Sequence, residues 1–205
     1  HQLDAPARGF STRFDGPLDM RMNPHWGTTA AELIASSSHG ELARIFREFG
    51  EIENAGKLAS ALVEARQHHE IETTAQLRTI TEPLAPRGKE NQYLARVFQS
   101  LRIEVNQELD ALEVMLNQLP EALLDGARVA IITWHSLEDR MVKNFFRSGR
   151  CDGQQQKDFF GNLITPFELV TRKAVEASAE EVAVNPRSRS ARLRVAQRKE
   201  RVQHD

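Results

Sequence analysis

Ala127-Arg-Val-Ala-Ile-Ile-Thr133 runs directly into Trp134-His-Ser-Leu-Glu-Asp-Arg140, and this junction decides the fold class. The first segment is short, β-rich and bounded by Asp125-Gly126. Such a continuous apolar run reads as a strand buried on both faces, the kind found in parallel sheets. In the second segment Ser136 and Asp139 stand at capping-box spacing, and Leu137, Met141, Val142, Phe145 and Phe146 follow on one helical face as far as Gly149. Strand, tight turn and capped helix make half of a βαβ unit.

Downstream, residues 149–165 are a polar loop, Phe167 to Arg172 reads as a strand and Ser178 to Val184 as a short helix. Ser190-Ala-Arg-Leu-Arg-Val-Ala-Gln197 alternates Arg with Leu and Val, which predicts a strand with one wet face. These two late strands suggest an antiparallel closing pair. Upstream, Leu94, Val97, Phe98, Leu101, Val105, Leu109, Leu112 and Leu116 step by three or four residues. They predict one continuous helix of about seven turns, stopped by Pro120. Residues 83–92 form a polar Pro/Gly linker, the best boundary in the chain. Before it, the capping pairs Thr29/Glu32, Ser38/Glu41 and Thr73/Gln76 open short helices, the second stopped by Gly50, and Leu58, Ala61, Leu62 and Ala65 mark another. The result is a compact helical subdomain. Residues 1–27 are punctuated by Pro and Gly, yet Phe10, Phe14, Leu18, Met20 and Met22 are too apolar for a tether, so an ordered, packed loop is expected.

The chain has 205 residues, 40% hydrophobic and 27% charged, with a formal net charge of −2. That composition fits one large domain, or one domain with an insertion, and excludes full disorder. Cys151 is the only cysteine, which excludes an internal disulfide framework and a multi-cysteine zinc site. No apolar run approaches the ~20 residues that span a bilayer. His1-Gln2-Leu3-Asp4 has neither a basic nor an apolar leader region, and it lacks a Met, so a start inside a longer gene product is expected. Local charge is more informative than the total. From Asn185 to Arg201, seven basic residues face Glu200 alone, a local +6. This stripe is either a phosphate-contacting face or a solvated terminal strand.

Three segments have the residue types for chemistry. Trp134 to Arg140 stands where an open α/β sheet places its ligands, at a strand's carboxyl end and a helix start. His135 there is either a proton-moving or hydrogen-bonding group, or a histidine satisfied at a strand end. In Asp15-Gly-Pro-Leu-Asp-Met-Arg-Met22, two carboxylates and Arg21 make either a reactive loop or a turn in which Arg21 pairs with an Asp. Asn185-Pro-Arg-Ser-Arg-Ser190 clusters guanidinium groups, which bind phosphate bidentately. His68 and His69 point apart on a helix end, so no metal site is expected, and Cys151 reads as a loop thiol. Gly-x-Gly-x-x-Gly, Walker and Gly-x-Ser-x-Gly motifs are absent from this sequence.

Four segments taken together are more specific. Arg8-Gly-Phe-Ser11 leads into Phe14-Asp-Gly-Pro-Leu-Asp-Met-Arg-Met22; then come Val97-Phe-Gln-Ser-Leu-Arg-Ile-Glu-Val-Asn-Gln-Glu-Leu109, His135-Ser-Leu-Glu-Asp-Arg140 and Asn185-Pro-Arg-Ser-Arg-Ser-Ala-Arg-Leu-Arg194. In this order they resemble the RsmH/MraW family, over nearly the whole chain from Gln2 to about Arg198. The resemblance implies a bacterial S-adenosylmethionine-dependent methyltransferase. Its target would be the exocyclic N4 of a cytidine in the decoding region of small-subunit (16S) ribosomal RNA.

The implied fold is α/β: a Rossmann-like methyltransferase sheet, partial here, with an inserted all-helical subdomain. Residues 1–24 would be a core loop, 25–92 the inserted substrate-binding subdomain and 93–205 the C-terminal part of the core. The family's Gly-rich motif, acidic ribose-binding residue and Asp-Leu-Gly-Val-Ser-Ser segment would lie before His1. Gln2 matches its cofactor-contacting glutamine. Thr12 stands where an aromatic is usual, and Trp134 where Phe or Tyr is usual.

Cytosine's amino nitrogen is a poor nucleophile because its lone pair is delocalised into the ring. Orientation can supply roughly 7–11 kcal/mol of barrier lowering, and a base taken out of its stack needs an aromatic platform. Motif position implies Asp15, Asp19, His135 and Ser136 as catalytic. Arg21, Trp134, Arg187, Arg189 and Arg192 would be RNA-binding, the three later arginines contacting phosphates or closing the sheet. Phe14 and Trp26 are further platforms. Expected partners are S-adenosylmethionine and the small ribosomal subunit, with no metal, membrane or DNA, in the cytoplasm, and with a second copy in a homodimer as an option. The alternative is a non-catalytic RNA-binding fragment that cannot bind cofactor alone.

Overall fold

Residues 6–200 are described by the structure, a computed structural model, and their packing divides the chain between Glu108 and Leu109. In the first unit α1 (Ala30–Ser36), α2 (His39–Glu48), α3 (Ala55–His68), α4 (Thr74–Thr81) and α5 (Glu90–Asn106) follow one another without an intervening strand. Thr29, Ser38 and Thr73 start α1, α2 and α4 as predicted. Each side-chain oxygen accepts from the N–H three residues on, and the Glu or Gln there accepts from the cap N–H in return. Each cap is worth about 1 kcal/mol. Gly50 follows α2 for a reason other than a left-handed turn, which Glu51 adopts instead (φ 49°). A Cβ at Gly50 would lie 2.8 Å from the Phe46 carbonyl oxygen.

Phe46, Leu58, Leu62, Leu77, Leu94, Val97 and Leu101 share one core with Leu18 and Met20 of the preceding loop, which is therefore ordered and packed as expected. The packing carries α5 with the helices before it, past the 83–92 linker. Asn54 ties that linker down: its Nδ2 donates to the Leu84 carbonyl at 2.9 Å and its Oδ1 accepts from the Tyr93 hydroxyl at 3.0 Å.

The single long helix expected from Leu94 to Leu116 is two helices. Gln107 adopts a left-handed conformation (φ 49°) and separates α5 from α6 (Glu108–Ala122). Asn106 drives the break, because its side chain donates to the carbonyls of both Arg102 and Met20 at 2.8 Å and accepts from Met22 N–H at 2.6 Å. Pro120 lies inside α6 and does not stop it.

The second unit is built on β4 (Arg192–Arg198). It pairs antiparallel with β1 (Arg128–Thr133) on one side and with β2 (Phe167–Leu169) and β3 (Val175–Glu176) on the other. The closing antiparallel pair is thus β2 with β4, with Phe167 opposite Arg198. Helix α7 (Ser136–Ser148) supplies Val142, Phe145 and Phe146 to a core with Leu116, Phe167 and Ala196. The Phe167 ring lies 5.7 Å and 5.6 Å from those of Phe145 and Phe146. The short α8 (Ala179–Val184) is capped by Ser178. No helix among the described residues is long and apolar enough to cross a membrane.

Two expectations fail here. β1 is not buried on both faces in the manner of a parallel strand: its burial alternates, Ile132 is 58% exposed, and among the described residues its only strand partner is antiparallel. Nor is the arginine face of β4 wet throughout. Arg192 is exposed, but Arg194 and Arg198 are buried, because β4 is the central strand and α7 packs on Arg194 while Pro120 of α6 and Pro166 pack on Arg198. Arg194 makes a bidentate pair with Asp139 of α7, at 2.7 and 2.9 Å. Arg198 donates to the carbonyls of Pro120, Pro166 and Lys199.

Both side chains of the Arg194–Asp139 pair are nearly enclosed, at 10% and 13% exposure. Asp139→Ala leaves the guanidinium buried without its carboxylate, and a loss of about 3–5 kcal/mol is expected in urea unfolding. The double variant Asp139→Ala/Arg194→Met should recover most of it, since paired apolar replacement is often neutral. A single-variant loss below about 1 kcal/mol, the range of exposed pairs, would contradict this account.

Candidate functional site

The predicted site residues fall in two groups, one in each unit. In the first, Gly9 has φ +72°, and a Cβ on it would lie 2.3 Å from the Pro17 carbonyl oxygen, so only glycine lets the two arms of the loop meet. Met20 N–H donates to the Arg8 carbonyl at 3.0 Å, Leu18 N–H to Glu72 at 2.8 Å, and Ala30 N–H to Asp19 at 2.8 Å. The Arg8 guanidinium holds the carbonyls of Arg21 and Met22 at 2.6 and 2.9 Å.

Asp15 is exposed, and its Oδ1 accepts from Ala75 N–H at 3.0 Å, Gly16 N–H at 2.9 Å and the Thr74 hydroxyl at 3.2 Å. The Ala75 amide, at the start of α4, leads in holding this carboxyl below its ordinary range. Asp19 takes Arg21 bidentately at 2.6 and 2.9 Å, which lowers its pKa and raises that of the guanidinium. Of the two alternatives for this loop, the pairing of Arg21 with an Asp is thus present. Phe14 and Trp26, 61% and 65% exposed, stand in the same unit.

In the second unit, β1 ends at Thr133 and α7 begins at Ser136, with Trp134 half-exposed between them. The expected capping box is shifted by one residue. His135, not Ser136, is the N-cap: its Nδ1 accepts from Glu138 N–H at 3.4 Å. Glu138 Oε2 accepts in return from the N–H groups of His135 and Trp134, at 3.3 and 2.8 Å. Capping requires Nδ1 without its proton and so places the neutral ring's hydrogen on Nε2, 3.4 Å from Glu138 Oε1. Ser136 occupies the first helical position. Asp139, which sequence reasoning left to the helix dipole, is committed to Arg194. No local signal marks that pair, whose members lie 55 residues apart.

Arg187 and Arg189 lie on a 3-10 turn, Pro186–Ser190, anchored by buried Ser188, whose hydroxyl donates to the Asn185 carbonyl at 2.7 Å. Arg192 is exposed and pairs with Glu176 at 3.3 Å. Burial pushes the Cys151 thiol up to about 11, which fits a loop thiol and not a nucleophile. Gln2, the expected cofactor contact, lies outside the described residues.

Asp15 gives a pH prediction. A carboxyl with a depressed folded pKa contributes stability above its ordinary value of 3.8, and that contribution is lost as pH falls through the lowered folded value. In an NMR titration the Ala75 and Gly16 amides should therefore shift with a midpoint below the ordinary value of 3.8, and Asp15→Asn should abolish the shift. Amide shifts centred on the ordinary aspartate value would show the bonds to be unimportant.

A family model described as the MraW methylase family matches residues 1–199. Among curated relatives, the "Ribosomal RNA small subunit methyltransferase H" of Bacteroides fragilis (strain YCH46) is 51% identical over 199 residues, covering 97% of this chain and 66% of that protein. The protein of the same name from Parabacteroides distasonis is 48% identical over 198 residues, with 97% and 65% coverage. That of Cytophaga hutchinsonii is 49% identical over 198 residues, with 97% and 66% coverage. The chain thus spans about 66% of the length of the relatives it matches.

Proposed function

The chain belongs to the MraW methylase family, and from that premise we propose that it serves methyl transfer from S-adenosylmethionine to the N4 amine of a cytidine in the decoding region of small-subunit (16S) ribosomal RNA. The observation that carries this reading is the similarity to relatives named as small-subunit ribosomal RNA methyltransferases, over 97% of the chain. The strand-to-helix junction is compatible with it, since Trp134 is half-exposed there beside the start of α7.

The described residues do not by themselves fit S-adenosylmethionine. The resemblance gives this chain one cofactor contact, Gln2, and the cavities at α1/α3 and α3/α4 contain no glycine turn that a nucleoside could approach. The roles that follow are therefore those of side chains toward the acceptor base and its RNA. N4 must lose a proton as it gains the methyl group, and in this reading the exposed Asp15 carboxylate accepts it; the N–H groups on its Oδ1 position the carboxylate and at the same time make it a weaker base. Asp19 fixes Arg21, whose guanidinium can face an RNA phosphate or the base carbonyl. His135 and Ser136, at the start of α7, orient the base, and Phe14, Trp26 or Trp134 stacks on it. Arg187, Arg189 and Arg192 hold phosphates.

One observation favours a second reading, RNA binding without methyl transfer by this chain: Gln2 is its only implied cofactor contact. Calorimetric titration of S-adenosylmethionine into the 205-residue chain separates the two. One-to-one binding supports transfer, whereas absence of heat with RNA binding intact supports the second.

Where transfer is measured, digestion of the RNA to nucleosides and mass spectrometry should find N4-methylcytidine; methyl on any other atom would overturn the proposal. Asp15→Asn is expected to lower kcat by about 100-fold or more, the weight of a positioned base. His135→Asn keeps an N-cap, so its stability should match the parent, whereas His135→Ala should lose about 1 kcal/mol. If the ring orients the base, both variants lose activity; activity retained in His135→Asn would reduce its role to capping.

A further inference from the structure

A concave basic surface lies in the second unit, and its lining includes neither Arg187 nor Arg189. Two cavities of about 210 and 600 Å³ share Lys143, Arg172 and Arg194 and so form one groove between α7 and the β3–β4 side of the sheet. Lys143 and Arg147 stand one helical turn apart on α7, Arg172 and Lys173 lie between β2 and β3, and Arg192 belongs to β4. All five are exposed, and Glu176 is the only acidic residue in the lining. Lys143, Arg147, Arg172 and Lys173 have no acidic partner among the described residues. The Arg192–Glu176 pair is solvent-exposed, at 47% and 63%, and an anionic ligand can displace it at little cost.

Such an arrangement needs a reason. Like charges converging in a concavity repel one another, and neither burial nor pairing offsets this in the free protein. The floor is rigid, because Arg194 is locked to Asp139 and Phe146 is packed in the core. A single phosphate would engage two or three donors. Five cations from three elements, spread over two joined cavities, match a run of phosphates.

We infer that this groove is a track for the phosphate backbone of RNA, with Lys143, Arg147, Arg172 and Lys173 as sequence-independent contacts that position the substrate. This rests on the proposed RNA substrate and extends its footprint to residues that no motif singles out. Phosphate contacts of this kind set register and affinity and leave base choice to other groups.

The test is fluorescence anisotropy of the chain with a labelled small-subunit ribosomal RNA fragment across a salt series. The comparison is Lys143→Gln/Arg147→Gln/Arg172→Gln/Lys173→Gln. Each phosphate contact adds about 0.7–0.9 to the slope of log affinity against log salt. The variant should therefore bind at least tenfold more weakly near 0.1 M salt, with a slope shallower by about 3. Unchanged affinity and slope in the variant, with the parent binding RNA, overturn the groove alone. A parent that does not bind RNA overturns the functional reading and the groove with it. Binding to phosphatidylserine/phosphatidylcholine vesicles that the variant loses, with RNA binding unaffected, assigns the groove to a membrane surface and also overturns the proposal. If the variant misfolds by circular dichroism, acylation of the parent decides. RNA should protect Lys143 and Lys173 from acylation, and equal labelling with and without RNA refutes the track.

Discussion

The second unit depends on one buried ion pair. Arg194 is on the central strand and Asp139 in the first turn of α7, and both side chains are nearly enclosed. A buried charge without its partner is costly, so the pair admits only arrangements in which β4 and the start of α7 are in this register. A slip of one residue along β4 would turn Arg194 to the other face, and a slip of two would put Arg192 or Ala196 opposite Asp139. The junction carrying Trp134, His135 and Ser136 is thus fixed from beneath, three to five residues from the anchor. Net stability is not the main effect, since a well-packed apolar pair could replace the ions. What the ions add is direction: a bidentate guanidinium–carboxylate contact fixes orientation as well as distance.

The first unit solves the same problem with backbone groups. Its loop reaches across the helices and would be expected to move, yet Leu18 and Met20 are fully buried. Main-chain bonds to Arg8, Glu72 and Ala30, together with the Asn106 clamp, leave it little freedom. Gly9 makes the close approach to Pro17 possible. Asp15 is drawn to the start of α4, where three donors converge on one oxygen, and Asp19 is engaged by Arg21. A carboxylate held this way is fixed in position and ionised at neutral pH, at the cost of some basicity.

Much of this was legible in sequence wherever the controlling interaction is local. Three capping boxes read correctly because donor and acceptor lie three residues apart. The fourth was shifted because His135-x-x-Glu138 and Ser136-x-x-Asp139 both fit the spacing, and the usual preference for Ser pointed to the wrong one. The pairing of Arg21 with an Asp was open to reading because both are in one loop. The break at Gln107 was hidden: apolar spacing continues through it, and its cause is Met20, 86 residues from Asn106. The RsmH/MraW resemblance supplied a fold and an activity that spacing alone does not name.

The arginines between 187 and 198 show why charge counts mislead. Alternation over Ser190–Gln197 puts Arg192 and Arg194 on one face of β4 and predicts a wet face, but it cannot see what packs over that face. Once α7 packs on Arg194, and Pro120 and Pro166 on Arg198, the two become structural: one is neutralised by Asp139, the other spread over three carbonyls. Their charge is then unavailable to a ligand, and the +6 read from the sequence overstates what this segment presents to solvent. The field is partly restored from elsewhere, by Lys143, Arg147, Arg172 and Lys173, which are scattered in sequence and gathered by the fold. An electrostatic surface belongs to the packed structure, and a basic run in the chain is evidence for one only after the inward-facing members are discounted.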